Sequence, residues 1–287
     1  MRYSLQNEWL SLTVSTAGAE AVSVKATNGH EFLWQADPGV WPRHAPILFP
    51  YTGPLPHSTR SWQGRAYPCN LQHGFARDKQ HQLVSQTADT LVFQLCPDEE
   101  TRAVYPFDFL LQSTFVLRQN TVHHTLRVQN PGSGLLRFGL GFHPGFRCPF
   151  DSTKPLTDYE LRFDRPQPAA DLQNYPTGET EIREIPLAGD TFAKGPFLMM
   201  NPAPTTVSLC ERGTARRVVC HIDGYPYCLL WSPPAAPGHL VCIEPWHSLP
   251  DVAQSGAAWE TFAPAAQLAP NEEWAATLVT EYWGETK

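Results

Sequence analysis

The 287-residue chain is 42% hydrophobic and 17% charged with a formal net charge of -7, which supplies a large core and argues against a disordered chain. Acidic and basic residues are mixed without long runs and no Lys/Arg stripe interleaves with aromatics, so nucleic acid and phosphate-rich surfaces are excluded as expected partners. No apolar stretch has signal-peptide form or membrane-spanning length, so no membrane partner is expected.

Strand signals recur in chain order at residues 9–14, 91–96, 109–117, 122–128, 135–142, 207–210, 218–222, 227–231, 240–243 and 275–282. The clearest pair joins Phe109, Leu111, Phe115 and Leu117 to Val122, His124, Leu126 and Val128 across Gln119-Asn120, the pattern of an antiparallel hairpin. Helical periodicity is weak; one short helix is expected after Pro250, with Asp251 capping Val252 to Gln254. The 28 prolines and 19 glycines fall mainly between the strand runs, as connecting loops of a β protein require. The Pro/Ala-rich stretches 164–176 and 232–239 read as surface loops. These signals predict an all-β chain, a single β-sandwich domain over 1–287. Seven cysteines without a CxxC pair sit mostly in apolar runs, as buried thiols in a reducing cytoplasm would.

Three segments place ionisable residues in unusual company. In Leu71-Gln72-His73-Gly74-Phe75-Ala76-Arg77-Asp78, a proton carrier precedes a flexible glycine and a cation; the blander reading is a turn with a surface Arg–Asp pair. In Gly139-Leu140-Gly141-Phe142-His143-Pro144, residues 139, 141 and 143 share one face of an extended segment. Glycines there predict close approach of a ligand or another backbone beside His143; the alternative is a structural histidine. In Val241-Cys242-Ile243-Glu244-Pro245-Trp246, a carboxylate ends an apolar strand, which is costly unless it is paired or used. Apolar neighbours should raise its pKa, unless loop amides satisfy it. Trp246 could present an indole face to a sugar.

The strings APILFP (45–50), HGFARD (73–78), GFHPGF (141–146) and CIEPW (242–246), in this order, resemble aldose 1-epimerases of the bacterial branch carrying an HGFARD motif. The resemblance implies a large twisted antiparallel β-sandwich of the galactose mutarotase-like type, with a sugar in a cleft on one sheet. It implies Glu244 as general base, His143 as general acid, His73 as an assisting and polarising group, and Arg77 as a contact to substrate hydroxyls. The chemistry asks for such a set: a proton leaves the C1 hydroxyl and another reaches the ring oxygen. An acid and a base on opposite sides of the C1–O5 unit, each worth roughly 10²–10⁴ in rate, need neither metal nor cofactor.

Two departures from the family pattern matter. Tyr51-Thr52-Gly53 runs into Pro54 where relatives often carry Gly-Arg, so Arg43 is the candidate substitute. The family's substrate-binding Asp has no sharp motif here; Asp190 and Asp223 are candidates, with Asp223 taken into the expected site. Trp34 and Trp41 flank an apolar-to-polar transition close to the LFP motif, and Trp34 is a candidate stacking residue, although core packing is the commoner role. His73, His143 and Glu244 could form a two-His, one-carboxylate metal site, but the reaction does not call for one. The expected activity is mutarotation of a free hexose by a monomer or homodimer. Its competitors are a hexose-6-phosphate 1-epimerase, which calls for clustered cations such as Arg43, Arg60, Arg65 and Arg77, and a non-catalytic sugar-binding or regulatory protein.

Overall fold

Period-two burial organises the chain into two antiparallel layers. The computed structural model describes residues 1–55, 58–175, 178–249, 258–262 and 266–284. The helix expected after Pro250 lies outside them.

The predicted hairpin forms from Leu110–Arg118 and Thr121–Gln129, with Val122 opposite Leu117 and Val128 opposite Leu111. Gln119 turns the chain at φ 49°. Side chains alternate between buried and partly exposed along both strands, because successive residues face opposite sides of a pleated sheet. This hairpin lies within a nine-stranded sheet. Its order is Glu181–Pro186, Tyr159–Pro168, Thr206–Glu211, Arg217–His221, Glu273–Trp283, Thr121–Gln129, Leu110–Arg118, Thr90–Leu95 and Gln82–Gln86.

The facing sheet runs Leu172–Gln173, Phe197–Met200, Tyr227–Trp231, Leu240–Trp246, Gly141–Phe142 and Ile47–Leu48, and Gly145–Arg147 also pairs with Leu240–Trp246. The layers meet where Phe142 lies 5.0 Å from the His124 ring and Phe146 lies 6.5 Å from Tyr282. Phe142 and Phe146 are both buried, and each such ring contributes roughly 1.5–3 kcal/mol by leaving water. The architecture is the expected β-sandwich. Among the described residues, no helix is long and apolar enough to cross a membrane. All seven cysteines are free thiols, and only Cys96 is exposed.

Two readings change. Residues 135–142 do not form one strand: Leu136–Phe138 pairs with Ala266–Leu268, whereas Gly141–Phe142 joins the facing sheet. The stretch 164–176 is not simply a loop, since the strand Tyr159–Pro168 continues through Pro166 and Pro168 and Leu172–Gln173 forms a sheet edge. A register shift between Arg162 and Gln167 accommodates prolines that cannot donate to a regular ladder.

Candidate active site

Every residue of Leu240–Trp246 is buried. Val241 and Ile243 belong to the core, so by alternation Cys242, Glu244 and Trp246 face away from it. On that side lies a cleft of about 720 Å³, within the usual range of small-molecule sites. Its floor follows the strand register: Glu244 is opposite Leu229, Leu229 opposite Leu198, and Leu198 opposite Gln173. All four line the cleft. One carboxylate thus stands at the end of a row that is otherwise aliphatic and amide.

His143 Nε2 lies 3.2 Å from Glu244 Oε2. Both side chains are almost sealed, with relative exposures of 7% and 0%. Burial pushes the Glu244 carboxyl well above the usual carboxylate range, opposed by the neighbouring Trp246 indole. Burial also pushes His143 well below the usual histidine value, aided by His73, Arg77 and Arg43 nearby. Both directions favour the uncharged forms, with the carboxyl proton on Glu244 and the His143 ring neutral. The polar neighbours of the Glu244 carboxyl are His143 and the Trp246 indole rather than loop amides, and His143 Nδ1 has no hydrogen-bond partner among the described residues. Trp41 stacks on His143 with ring centroids 5.0 Å apart at 23°, and Trp231 meets the same ring edge-on at 5.8 Å. The His143 backbone N–H donates to Pro46 O, which fixes the strand end that carries the ring.

The HGFARD turn is tied to the APILFP segment through its backbone. Phe75 and Ala76 N–H groups both donate to Phe49 O. Gly74 has φ +70° and passes so close that a Cβ would lie 2.2 Å from that oxygen, so glycine is required here. His73 donates its backbone N–H to Gly53 O, and its Nδ1 accepts from Gly53 N–H at 2.8 Å. Burial, with Arg77 and Arg43 adding to it, lowers the His73 pKa to about 3. A neutral ring whose Nδ1 accepts must carry its proton on Nε2, which lies beside the cleft and 3.2 Å from the Gln72 side-chain amide. Its ring lies 5.4 Å from His143 and 5.7 Å from Trp246.

The cations come next. Arg77 Nη2 donates to Gln72 O at 2.7 Å. Burial and the like charge of Arg43 lower the Arg77 pKa to about 10, which leaves it charged at neutral pH. Arg43 pairs with Asp78 at 2.7 Å. Arg43, Pro54 and Arg77 all line the cleft, so Arg43 does stand near the position where relatives' arginine is missing.

Several expectations are corrected. Asp223 is exposed in the turn after Arg217–His221, beside Gly224 at φ +81°; its Asp-Gly pair is a turn signal, and it does not line the cleft. Asp190 is exposed as well, and Glu244 is the sole carboxylate among the described lining residues. Trp34 lies outside the cleft and donates its indole N–H to Trp41 O at 2.8 Å, so it supports the tryptophan that packs on His143. The close approach expected at the glycines beside His143 is by the protein itself: by backbone at Gly139, where a Cβ would lie 3.1 Å from Tyr51 Cα, and by side chains at both. A Cβ on Gly139 would sit 2.4 Å from Ser248 Oγ, and one on Gly141 2.6 Å from Trp246 Cδ1. His143 and Glu244 are neighbours rather than opposed. The donor cluster dense enough for a metal is His143, Cys242 and Glu244, not the set with His73. Gln173, Leu198, Leu229 and Trp231 were not singled out in the sequence; only sheet register brings them together.

Comparison with known proteins accords with this arrangement. The aldose 1-epimerase family model matches residues 1–279. A galactose mutarotase related enzyme from Lactobacillus acidophilus superposes with a TM-score of 0.89 at 29% identity, covering 100% of this chain and 98% of that one. A galactose mutarotase-like protein from Lactobacillus casei ATCC 334 gives 0.85 at 25% identity, covering 98% and 99%. Protein LacX (chromosomal) of Lactococcus lactis subsp. lactis is 26% identical over 272 residues, covering 89% of this chain and 91% of its own. The family model, matching nearly the whole chain, and the galactose mutarotase-like sandwich place the chain in the aldose 1-epimerase family.

Proposed function

We propose that the protein is an aldose 1-epimerase that interconverts the α and β anomers of a free hexose. The observation that carries this reading is the buried His143–Glu244 contact of 3.2 Å at the floor of an open cleft. O1 and O5 are both bonded to C1, so an acid and a base must reach two oxygens only one carbon apart. Adjacent groups suit that geometry. The pair's one proton passes from Glu244 to His143, leaving a carboxylate base and an imidazolium acid. Glu244 takes the proton of the C1 hydroxyl while His143 protonates O5, and the C1–O5 bond breaks to give the open aldehyde. Rotation about C1–C2 exposes the other carbonyl face; O5 then attacks C1, returns its proton to His143, and O1 recovers its proton from Glu244. Nothing is consumed, and the proton steps call for no cofactor.

The His73 Nε2–H and the Arg77 guanidinium are suited to donate to substrate oxygens, and the Trp41, Trp231 and Trp246 rings to cover the apolar faces of a pyranose. A phosphorylated substrate has less support. Of the four candidate arginines, only Arg43 and Arg77 line the cleft, and Asp78 already faces both. Arg60 instead lies over Trp259 and Phe262, and Arg65 over Tyr67.

Polarimetry or NMR of freshly dissolved α-glucose and α-galactose tests the reading. Wild-type protein should accelerate anomer exchange, and Glu244→Gln should lose about 10²–10⁴ of that acceleration with its fold intact. An undiminished rate in the variant removes Glu244 from the mechanism. Acceleration confined to glucose 6-phosphate favours the phosphosugar activity, and saturable sugar binding without acceleration favours a binding role.

A further inference from the structure

The same strand that carries Glu244 places a third donor beside the pair. Cys242 is two residues earlier on the same face, fully buried, and fixed by pairing with Trp231 on one side and Gly145 on the other. The His143 nitrogen, the Cys242 sulfur and a Glu244 oxygen all lie within 4.8 Å of one another. Among the described residues, this is the sole group of three such donors so close together. Imidazole, thiolate and carboxylate together form a donor set for zinc-like cations, while magnesium and calcium favour oxygen alone.

We propose that His143, Cys242 and Glu244 bind a soft divalent cation such as Zn²⁺, and that its occupancy blocks the acid–base pair. Zinc bonds of about 2.0–2.3 Å in a tetrahedron hold ligand atoms roughly 3.5 Å apart. His143 and Glu244 already approach to 3.2 Å, and the Cys242 sulfur lies within 4.8 Å of both, so ligation asks for a modest contraction of the cluster. Two donors stand on a strand paired on both sides, and Trp41 braces the third. His143 and Glu244 line the cleft, from which water or a sugar hydroxyl can complete the shell. The Glu244 carboxyl faces only the His143 ring and the Trp246 indole, and a cation would supply the positive charge that a carboxylate there lacks. The charge also balances: one thiolate and one carboxylate neutralise M²⁺ in a site where an uncompensated charge is costly. Thiolate and carboxylate ligation displaces protons, so affinity should rise with pH.

The blocking half of this proposal rests on the epimerase reading, whereas the binding half does not. Chelator-treated protein is titrated with Zn²⁺ by calorimetry in buffers of different ionisation enthalpy, and anomer exchange is followed in parallel. One equivalent of Zn²⁺ should bind with release of protons, abolish exchange, and be reversed by EDTA; Mg²⁺ should do neither. Cys242→Ser should keep the basal rate and bind Zn²⁺ at least tenfold more weakly, with Cys242→Ala made alongside so that a folding defect in one variant does not mislead. Equal Zn²⁺ affinity in wild type and either folded variant, or no stoichiometric binding, overturns the site. Metal-free protein that never accelerates exchange, yet binds Zn²⁺ through Cys242, overturns the epimerase reading and leaves the metal site standing. Exchange that continues in the Zn²⁺-loaded protein overturns the blocking role.

Discussion

Gly141→Ala tests whether the site depends on the close packing beneath it. Gly141 pairs with Trp246 on one side and Leu48 on the other. An added Cβ would meet Trp246 Cδ1 at 2.6 Å and Leu48 Cδ1 at 3.2 Å, and ordinary contact begins at 3.4 Å. The indole must therefore retreat by about 0.8 Å, although Trp246 is buried, lines the cleft and stands two residues from Glu244. Overpacking of this kind costs about 1–3 kcal/mol. For 287 residues, an unfolding entropy of about 0.6 kcal/mol/K makes that a Tm loss of roughly 2–5 °C. Displacement approaching an ångström at a reacting centre costs up to about 10²-fold, so kcat/KM should fall about 10–100-fold while the protein remains folded. Differential scanning fluorimetry and NMR exchange rates supply the two readouts. Gly134→Ala is the control, because nothing lies within 4 Å of its Cβ and its φ is not positive. If Gly141→Ala matches that control in both Tm and rate, the cleft wall is compliant and the packing argument fails.

Other perturbations separate support from chemistry. Trp34→Phe removes the indole N–H that donates to Trp41 O; one such hydrogen bond is worth about 0.5–1.5 kcal/mol, so kcat/KM should drop roughly 2–10-fold, and an unchanged value would show that Trp41 holds itself. Glu20 accepts from the His44 and Ala45 N–H groups at 2.6 and 2.9 Å, so Glu20→Ala should cost about 1–3 kcal/mol in denaturant unfolding and Glu20→Gln distinctly less; equal losses would mean that the acceptor is not what matters. Burial lowers His73 and His124 to about 3 and His81 and His247 to about 4. The unfolded chain takes up these protons near pH 6.5 while the folded one resists until far lower, so stability is full above about 6.5 and falls as the pH drops towards 4. Glu244 and Glu20, raised by burial, oppose this trend, whereas His143, His44 and His123, lowered by burial, add to it. A denaturant midpoint that stays constant from pH 7 to pH 5 would contradict that balance.

What the sequence could reveal depended on how local each signal is. Alternation along residues 109–128 is a property of the pleat itself, so the hairpin and its turn were legible before any tertiary contact was considered. The same is true of Glu244: a carboxylate in an apolar strand is anomalous wherever the strand goes, and the fold turns that anomaly into a buried pair with His143. Registry between distant strands is different, because no local pattern states that Gln173, in a Pro/Ala-rich stretch, will stand across the sheet from Leu198, Leu229 and Glu244. Asp223 failed for a complementary reason. Its strong local meaning was a turn, and the functional reading required a long-range placement that the turn forbids. Trp34 and Trp41 are equivalent in composition and differ only through one hydrogen bond and one ring stack. Glycines 139 and 141 marked a close approach correctly, but a missing Cβ does not say what fills its space. Here Ser248 and Trp246 fill it, so the crowding indicated by those glycines is the packing that holds the cleft wall in place.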